Sequence, residues 1–225
     1  MFVNKGVELL KRQFSDPEAN IADGFQFLSP SEIAVETGWS KGQIYYLWGG
    51  GREAYGKYIL DVLRQLLDEA NQGFAAIAAA VTSVAGMAPV EIIEMLANVE
   101  MMRLTNVAAS SVRAGHCLIA HATSPAAQEV FCKAENEALD LMAGVYEQIA
   151  PMVGRCARPG VSYRDIAAAF AALSSGFASG VLGGSPMTPP ISWASALDPS
   201  GEPRQWTIFT ISVEALVLHL TERVE

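Results

Sequence analysis

The chain is short of residues that cross-link or chelate: it has three cysteines and three histidines in 225 residues. Three thiols cannot pair evenly, which excludes a disulfide scaffold and makes a reduced, cytoplasmic setting the expectation. Charged residues are also few, at 17% against 51% hydrophobic, and the 15 Lys and Arg are outnumbered by 24 Asp and Glu, for a formal net charge of −9. A disordered chain would be short of apolar residues, so disorder is excluded. With a mean hydropathy of +0.23, the chain holds more apolar material than one small core needs, which predicts a subunit interface, a hollow apolar pocket, or both.

Motifs of chemistry are missing as well. The chain has no glycine-rich phosphate loop after a strand, no HExxH, no GxSxG and no CxxC, so no catalytic residues, cofactor or metal are expected. An all-α enzyme built from scattered side chains stays open as an alternative, as does a helical interaction module without DNA binding. The start, MFVNKGVELLKRQF, lacks the order of an export signal, with Glu8 interrupting its apolar positions. The uncharged stretches Ala70 to Val90 and Ile166 to Leu197 are too rich in Ala, Ser, Gly and Pro to read as membrane spans. No membrane partner is expected.

What is present is helix after helix. Apolar residues recur at helical spacing and no run alternates convincingly, so the fold class is all-α. Ser29 with Glu32, Ser40 with Gln43 and Ser162 with Asp165 have the spacing of capping boxes, and Pro30, Pro89 and Pro125 suit first-turn positions. Helices are expected over 4–14, 30–37, 41–48, from the Gly49-Gly50-Gly51 break to about Ala70, and over 90–104, 107–122, 125–150, 163–182 and 205–223. Residues 183–204, with five prolines, read as a long loop.

Two short amphipathic helices joined at Gly38 have the geometry of a helix-turn-helix, although a plain helical hairpin fits them too. In the first reading Lys41, Gly42 and Gln43 face base edges, while Tyr45, Tyr46 and Arg52 hold phosphates, with Ser29 and Ser40 at the two helix entries. The run SEIAVETGWSKGQIYYLWGGGREAY, from Ser31 to Tyr55, closely resembles the helix-turn-helix of the tetracycline-repressor (TetR) family. The residues that carry the resemblance are Ile33-Ala34, Gly38, Ser40-Lys41-Gly42, Ile44-Tyr45, Trp48 and Arg52-Glu53-Ala54. It covers about 25 residues and implies a homodimeric transcriptional regulator, read as a repressor. An N-terminal three-helix DNA-binding domain (1–60) would precede a larger helical domain (61–225) that dimerises and binds a small effector whose arrival releases a palindromic operator.

Trp39 stands where that family usually has a small aliphatic residue, the glycine run is one longer, and the stretch from Ser15 to Leu28 is long. Residues 1–60 hold six bases and seven acids, net −1, so operator affinity is expected to be modest and to fall with salt.

Two apolar stripes near the C-terminus, Phe170, Leu173, Phe177 and Val181, then Phe209, Val213, Leu216 and Leu220, fit either the protomer's own core or a dimeric four-helix bundle. The bundle is favoured, because a symmetric reader needs two recognition helices about 34 to 36 Å apart. A soft apolar effector pocket is expected from Met95, Met102, Phe131, Met142 and Tyr146, with Asn98, His116 and His121 as polar anchors. His116 and His121 lie about 140° apart around a helix, and Cys117 with His121 lacks a third ligand, so no metal site is expected.

Overall fold

A computed structural model describes residues 2–15, 28–47, 51–80, 84, 86–105, 125–182, 185 and 189–224; within these, the side chains at 13–15, 51–54, 70, 72–80 and 182 are outside the description. The described chain is mostly helical: α1 (Phe2–Ser15), α2 (Pro30–Thr37), α3 (Lys41–Leu47), α4 (Gly51–Ala80), α5 (Pro89–Thr105), α6 (Pro125–Met152), α7 (Tyr163–Leu182) and α8 (Ile208–Leu220). Four short strands accompany them: β1 (Arg155–Ala157), β2 (Ile191–Ala194), β3 (Pro203–Trp206) and β4 (Thr221–Arg223). The expected helix over 107–122 lies outside the described residues. Two compact units result, one of residues 1–72 with 107–135, the other of 73–106 with 136–225.

The first unit packs α1, α2, α3 and the start of α4. Its core is Phe2, Val7, Leu9, Leu10, Leu28, Ile33, Ile44, Tyr58, Val62, Leu63 and Leu66, joined by Ala127 and Val130 of α6. The caps that the sequence marks are formed. Ser29 Oγ accepts from Glu32 N, Pro30 takes the first turn of α2, and Gly38 closes that helix at φ +71°, in the left-handed region where a side chain is strained. Gly6 sets how closely α1 can approach α4, since a Cβ there would overlap Tyr58 Oη and come within 2.7 Å of Val62 Cγ2.

In the second unit, one core joins Val90, Ile93 and Ala97 of α5 to Trp206, Phe209, Val213 and Val217. Another joins Val84 and Ile92 to Val145, Ile149 and Val153. The capping box of α7 is complete: Ser162 N donates to Asp165 Oδ2 at 2.8 Å and Asp165 N donates to Ser162 Oγ at 3.1 Å.

Two corrections to the sequence reading arise here. The 183–204 loop contains a hairpin: β2 and β3 pair antiparallel, Ile191 opposite Trp206 and Ala194 opposite Pro203. The helix expected over 205–223 is shorter, because Thr207 caps it at one end and at the other Thr221 turns extended to pair β4 with β1. Buried polar groups far apart in sequence hold both features. Glu214, 2% exposed, accepts from Trp193 Nε1 at 2.7 Å and from Ser195 Oγ, tying the hairpin to α8. Arg155 donates to Thr221 Oγ1 at 2.5 Å and Thr221 O at 2.7 Å, while Arg158 Nε donates to His219 O at 2.7 Å. Two guanidinium groups thus satisfy carbonyls at the negative end of α8.

Candidate nucleic-acid interface and apolar cavity

Ile44, 2% exposed, anchors α3 in the first core, and the opposite side of this short helix is free. Lys41, Gly42, Gln43, Tyr46 and Leu47 are all exposed, Tyr46 at 87%, while Tyr45 is half-buried. Exposed Val35 of α2 adds to the apolar surface of this helix pair. Trp39 is partly covered by an edge-to-face contact with Phe2, centroids 4.6 Å apart, which gives the unusual aromatic a packing role between the turn and α1. The side chain of Arg52 is outside the described residues.

Gln43 does two things at once. Its Oε1 accepts from Ser40 N at 2.9 Å and Ser40 Oγ at 3.0 Å, while its own N donates to Ser40 Oγ at 3.3 Å. The amide oxygen is therefore held in the cap, and Nε2 is left with two hydrogens to donate. Acceptors such as guanine O6 and N7 or thymine O4 suit such a donor, and exposed Leu47 suits a thymine methyl group.

Cations are scarcer on this surface than the sequence suggests. Lys5 pairs with Glu8 at 3.0 Å and Glu36 at 3.3 Å, Arg12 with Glu36 at 2.9 Å, and Lys11 with Glu69 at 2.5 Å. Hydrogen bonds from Arg12 and Lys5 hold the Glu36 carboxyl below its usual range, and those to Glu8 and Glu36 raise the Lys5 ammonium above its own. Among the described residues Lys41 makes no ion pair and remains available to a phosphate.

The residues expected to line an effector pocket are dispersed. Met95 and Met142 pack on the core that contains Val145 and Ile149. Asn98 and Met102 are exposed. Tyr146 lies against Phe170, centroids 5.1 Å apart, and burial, then the nearby Glu100 charge, pushes its hydroxyl pKa up. Phe131 is half-buried in the first unit, and His116 and His121 lie outside the described residues.

A cavity of about 430 Å³ occurs elsewhere in the second unit, lined by Met101 of α5, the Ala172 to Val181 side of α7, Ser185, and Thr207, Ile208 and Phe209 at the start of α8. Leu173, Phe177, Val181 and Phe209, expected at a subunit interface, all face this cavity. Phe209 and Val213 are also buried in the protomer's own core, and Phe170, Leu173 and Phe177 pack against it, so these residues are occupied within one chain. Leu216 and Leu220 are half-buried. The exposed residues of α7 include Ala168, Ala171, Ala172, Ser175, Gly176 and Ser179, and those of α8 are Ile208, Ala215 and His219; Ala172, Gly176 and Ile208 also line the cavity, which is open to solvent on that side. Glycines in mid-helix at 176 and 180 were the available sequence signal for the cavity.

No family model matches the chain, no curated protein is similar to it, and no solved structure matches its fold. Function must be argued from these residues.

Proposed function

We propose that the protein is a ligand-responsive transcriptional regulator of the TetR type, which binds a palindromic operator as a homodimer. The observation that carries this reading is the pair α2–α3: two capped helices joined by a left-handed glycine, with one helix held by Ile44 and its Lys41, Gly42, Gln43 and Tyr46 side exposed. A short helix presented in this way can enter a major groove by its first turn. Lys41 and Tyr46 supply phosphate contacts, and Gln43 supplies the base contact. Pairing α7 and α8 with a second copy would supply the two-fold symmetry, through the small uncharged residues Ala168, Ala171, Ser175 and Ala215, which let helices approach closely. Repression follows if the operator-bound arrangement is the one that blocks transcription. An effector releases the operator only by binding the incompetent arrangement more tightly, so operator must weaken effector binding by the same factor.

A specific observation favours a second reading, a helical interaction module without DNA binding: among the described residues, at least three of the bases in residues 1–60, Lys5, Lys11 and Arg12, are paired with acids on the same unit, while Val35, Tyr46 and Leu47 are exposed. Selection of bound duplexes from a random pool, at about 100 mM salt where phosphate contacts still count, separates the two. An enriched inverted repeat supports the regulator. A dimer in solution that enriches nothing, with or without small-molecule extracts, sinks it in favour of the module.

A further inference from the structure

We infer that the cavity between α5, α7 and the start of α8 is a binding site for one neutral, mainly apolar small molecule. This rests on the regulator reading for its effect on DNA, and not for the binding itself.

Size is the first argument. About 430 Å³ falls within the usual span of small-molecule pockets, roughly 300 to 1,000 Å³. The walls come from three elements of one compact unit, and the α7 wall is short: Ala172 to Val181 cover about 13 Å of helix. That is a local hollow rather than the long seam a partner helix would occupy.

Chemistry is the second. Among the described residues no charged side chain lines the cavity, so an ionised guest would leave water without a counter-charge from them. The polar groups are few. Thr207 Oγ1 already accepts from Thr210 N at 3.1 Å and shares a hydrogen bond with Thr210 Oγ1 at 2.9 Å, which leaves Ser185, exposed at the rim, for one polar end of a guest. Phe177 and Phe209 meet edge to face, centroids 5.0 Å apart, and with Met101 and Leu173 they suit an aryl or branched alkyl body.

The glycines are the third. Gly176 and Gly180 sit inside α7, where glycine is poorer than alanine, and neither has a positive φ. Among the described residues a Cβ built on either would meet nothing within 4 Å, so packing against those residues does not require glycine. Both line the cavity, and their missing side chains are part of its volume. By helical spacing, the exposed Ala168, Ser175 and Ser179 lie only about 20 to 60° round α7 from the cavity-lining Ala172, so a second copy docked on them would meet the edge of the cavity, and the test must tell a guest from a second copy.

The test uses the full chain and the uncharged fluorophore N-phenyl-1-naphthylamine, titrated without DNA. Saturable binding at one probe per chain is expected, with affinity falling at least tenfold in Gly176→Leu and in Gly180→Leu. Melting temperatures should stay equal or rise, and Gly176→Ala should raise the melting temperature with a smaller loss of probe. Glu147→Ala, at an exposed position of α6 outside the lining, should leave probe affinity within twofold. An absence of saturable binding overturns the inference, as does binding that ignores the filling substitutions. If those substitutions instead change the sedimentation of a chain that still melts cooperatively, the occupant is a second copy and the proposal fails. Because the readout contains no DNA, failure of the operator selection with probe binding intact sinks the regulator and leaves the cavity proposal standing.

Discussion

The surface of α3 and the cavity beside α7 are built in opposite ways. Around α2 and α3 the capping groups are satisfied by near neighbours in sequence, Ser40 with Gln43 and Ser29 with Glu32, and large side chains such as Tyr46 stand in solvent. In the second unit buried polar groups are satisfied at long range, Glu214 by Trp193 and Ser195, Arg155 by Thr221, and Trp206 and Phe209 are inside. One region presents chemistry outwards on a locally specified frame. The other leaves an open apolar hollow on a frame that only the whole unit specifies.

The largest test of that contrast exchanges two aromatics for alanine. Phe209→Ala removes a ring that is 1% exposed and should destabilise the chain by about 3 to 5 kcal/mol in urea unfolding. Tyr46→Ala, at 87% exposure, should stay within about 0.5 kcal/mol while weakening operator binding. A large stability loss from the second variant would break the comparison.

Next in size is a pair of arginines. Arg155→Met strips the Thr221 carbonyl of its donor inside the unit, and an unsatisfied buried carbonyl costs about 1 to 3 kcal/mol. Arg12→Met opens an ion pair whose arginine side chain is 66% exposed, and such pairs are worth about 0 to 1 kcal/mol. Equal effects in thermal melts would mean that the two units are held alike.

These same residues show what the sequence can reveal. Caps are written within four residues, so the bounds of α2 and the start of α7 are legible from Ser29, Pro30, Gly38 and the Ser162–Asp165 pair. The hairpin is not, because β2 and β3 are four residues each, too short to show alternation. What holds them, Glu214, is 19 and 21 residues away. The stripe on α7 is legible as apolar, but periodicity cannot say whether Phe177 and Phe209 meet a partner subunit or line a cavity. The exposed first turn of α3 is legible, whereas the pairing of Lys5, Lys11 and Arg12 with Glu36 and Glu69 needs three helices brought together.

Gln43 sharpens the comparison at smaller scale, since capping and base reading share one side chain. Ser40→Ala should destabilise by about 1 kcal/mol. Gln43→Glu keeps an acceptor oxygen for Ser40 and should change stability by only about 0.5 kcal/mol or less, but it replaces the Nε2 donor. Operator selection should then shift at one position in each half-site towards a base that donates, cytosine through N4. An unchanged consensus, with the cap intact, would remove Gln43 from the reading surface.

The smallest effect is expected from acid. In the folded chain the Glu36 carboxyl is lowered by hydrogen bonds from Arg12 and Lys5, so its stabilising effect is present above the ordinary carboxylate pKa and is lost as pH falls through the depressed folded value. Lys5 is raised by Glu8 and Glu36, so its share is present at neutral pH and is lost only as pH rises through a value above the ordinary lysine range. The link from α1 to α2 should therefore be intact across neutral pH and open first on the acid side, below the ordinary range of a glutamate carboxyl. In the second unit the Arg155 hold on Thr221 contains no carboxylate and should not respond there. Amide exchange followed downwards from pH 5 should rise in α1 and α2 before it rises at β1 and β4. The reverse order would mean that the exposed ion pairs between α1 and α2 are the firmer frame, and would invert the contrast between the two units.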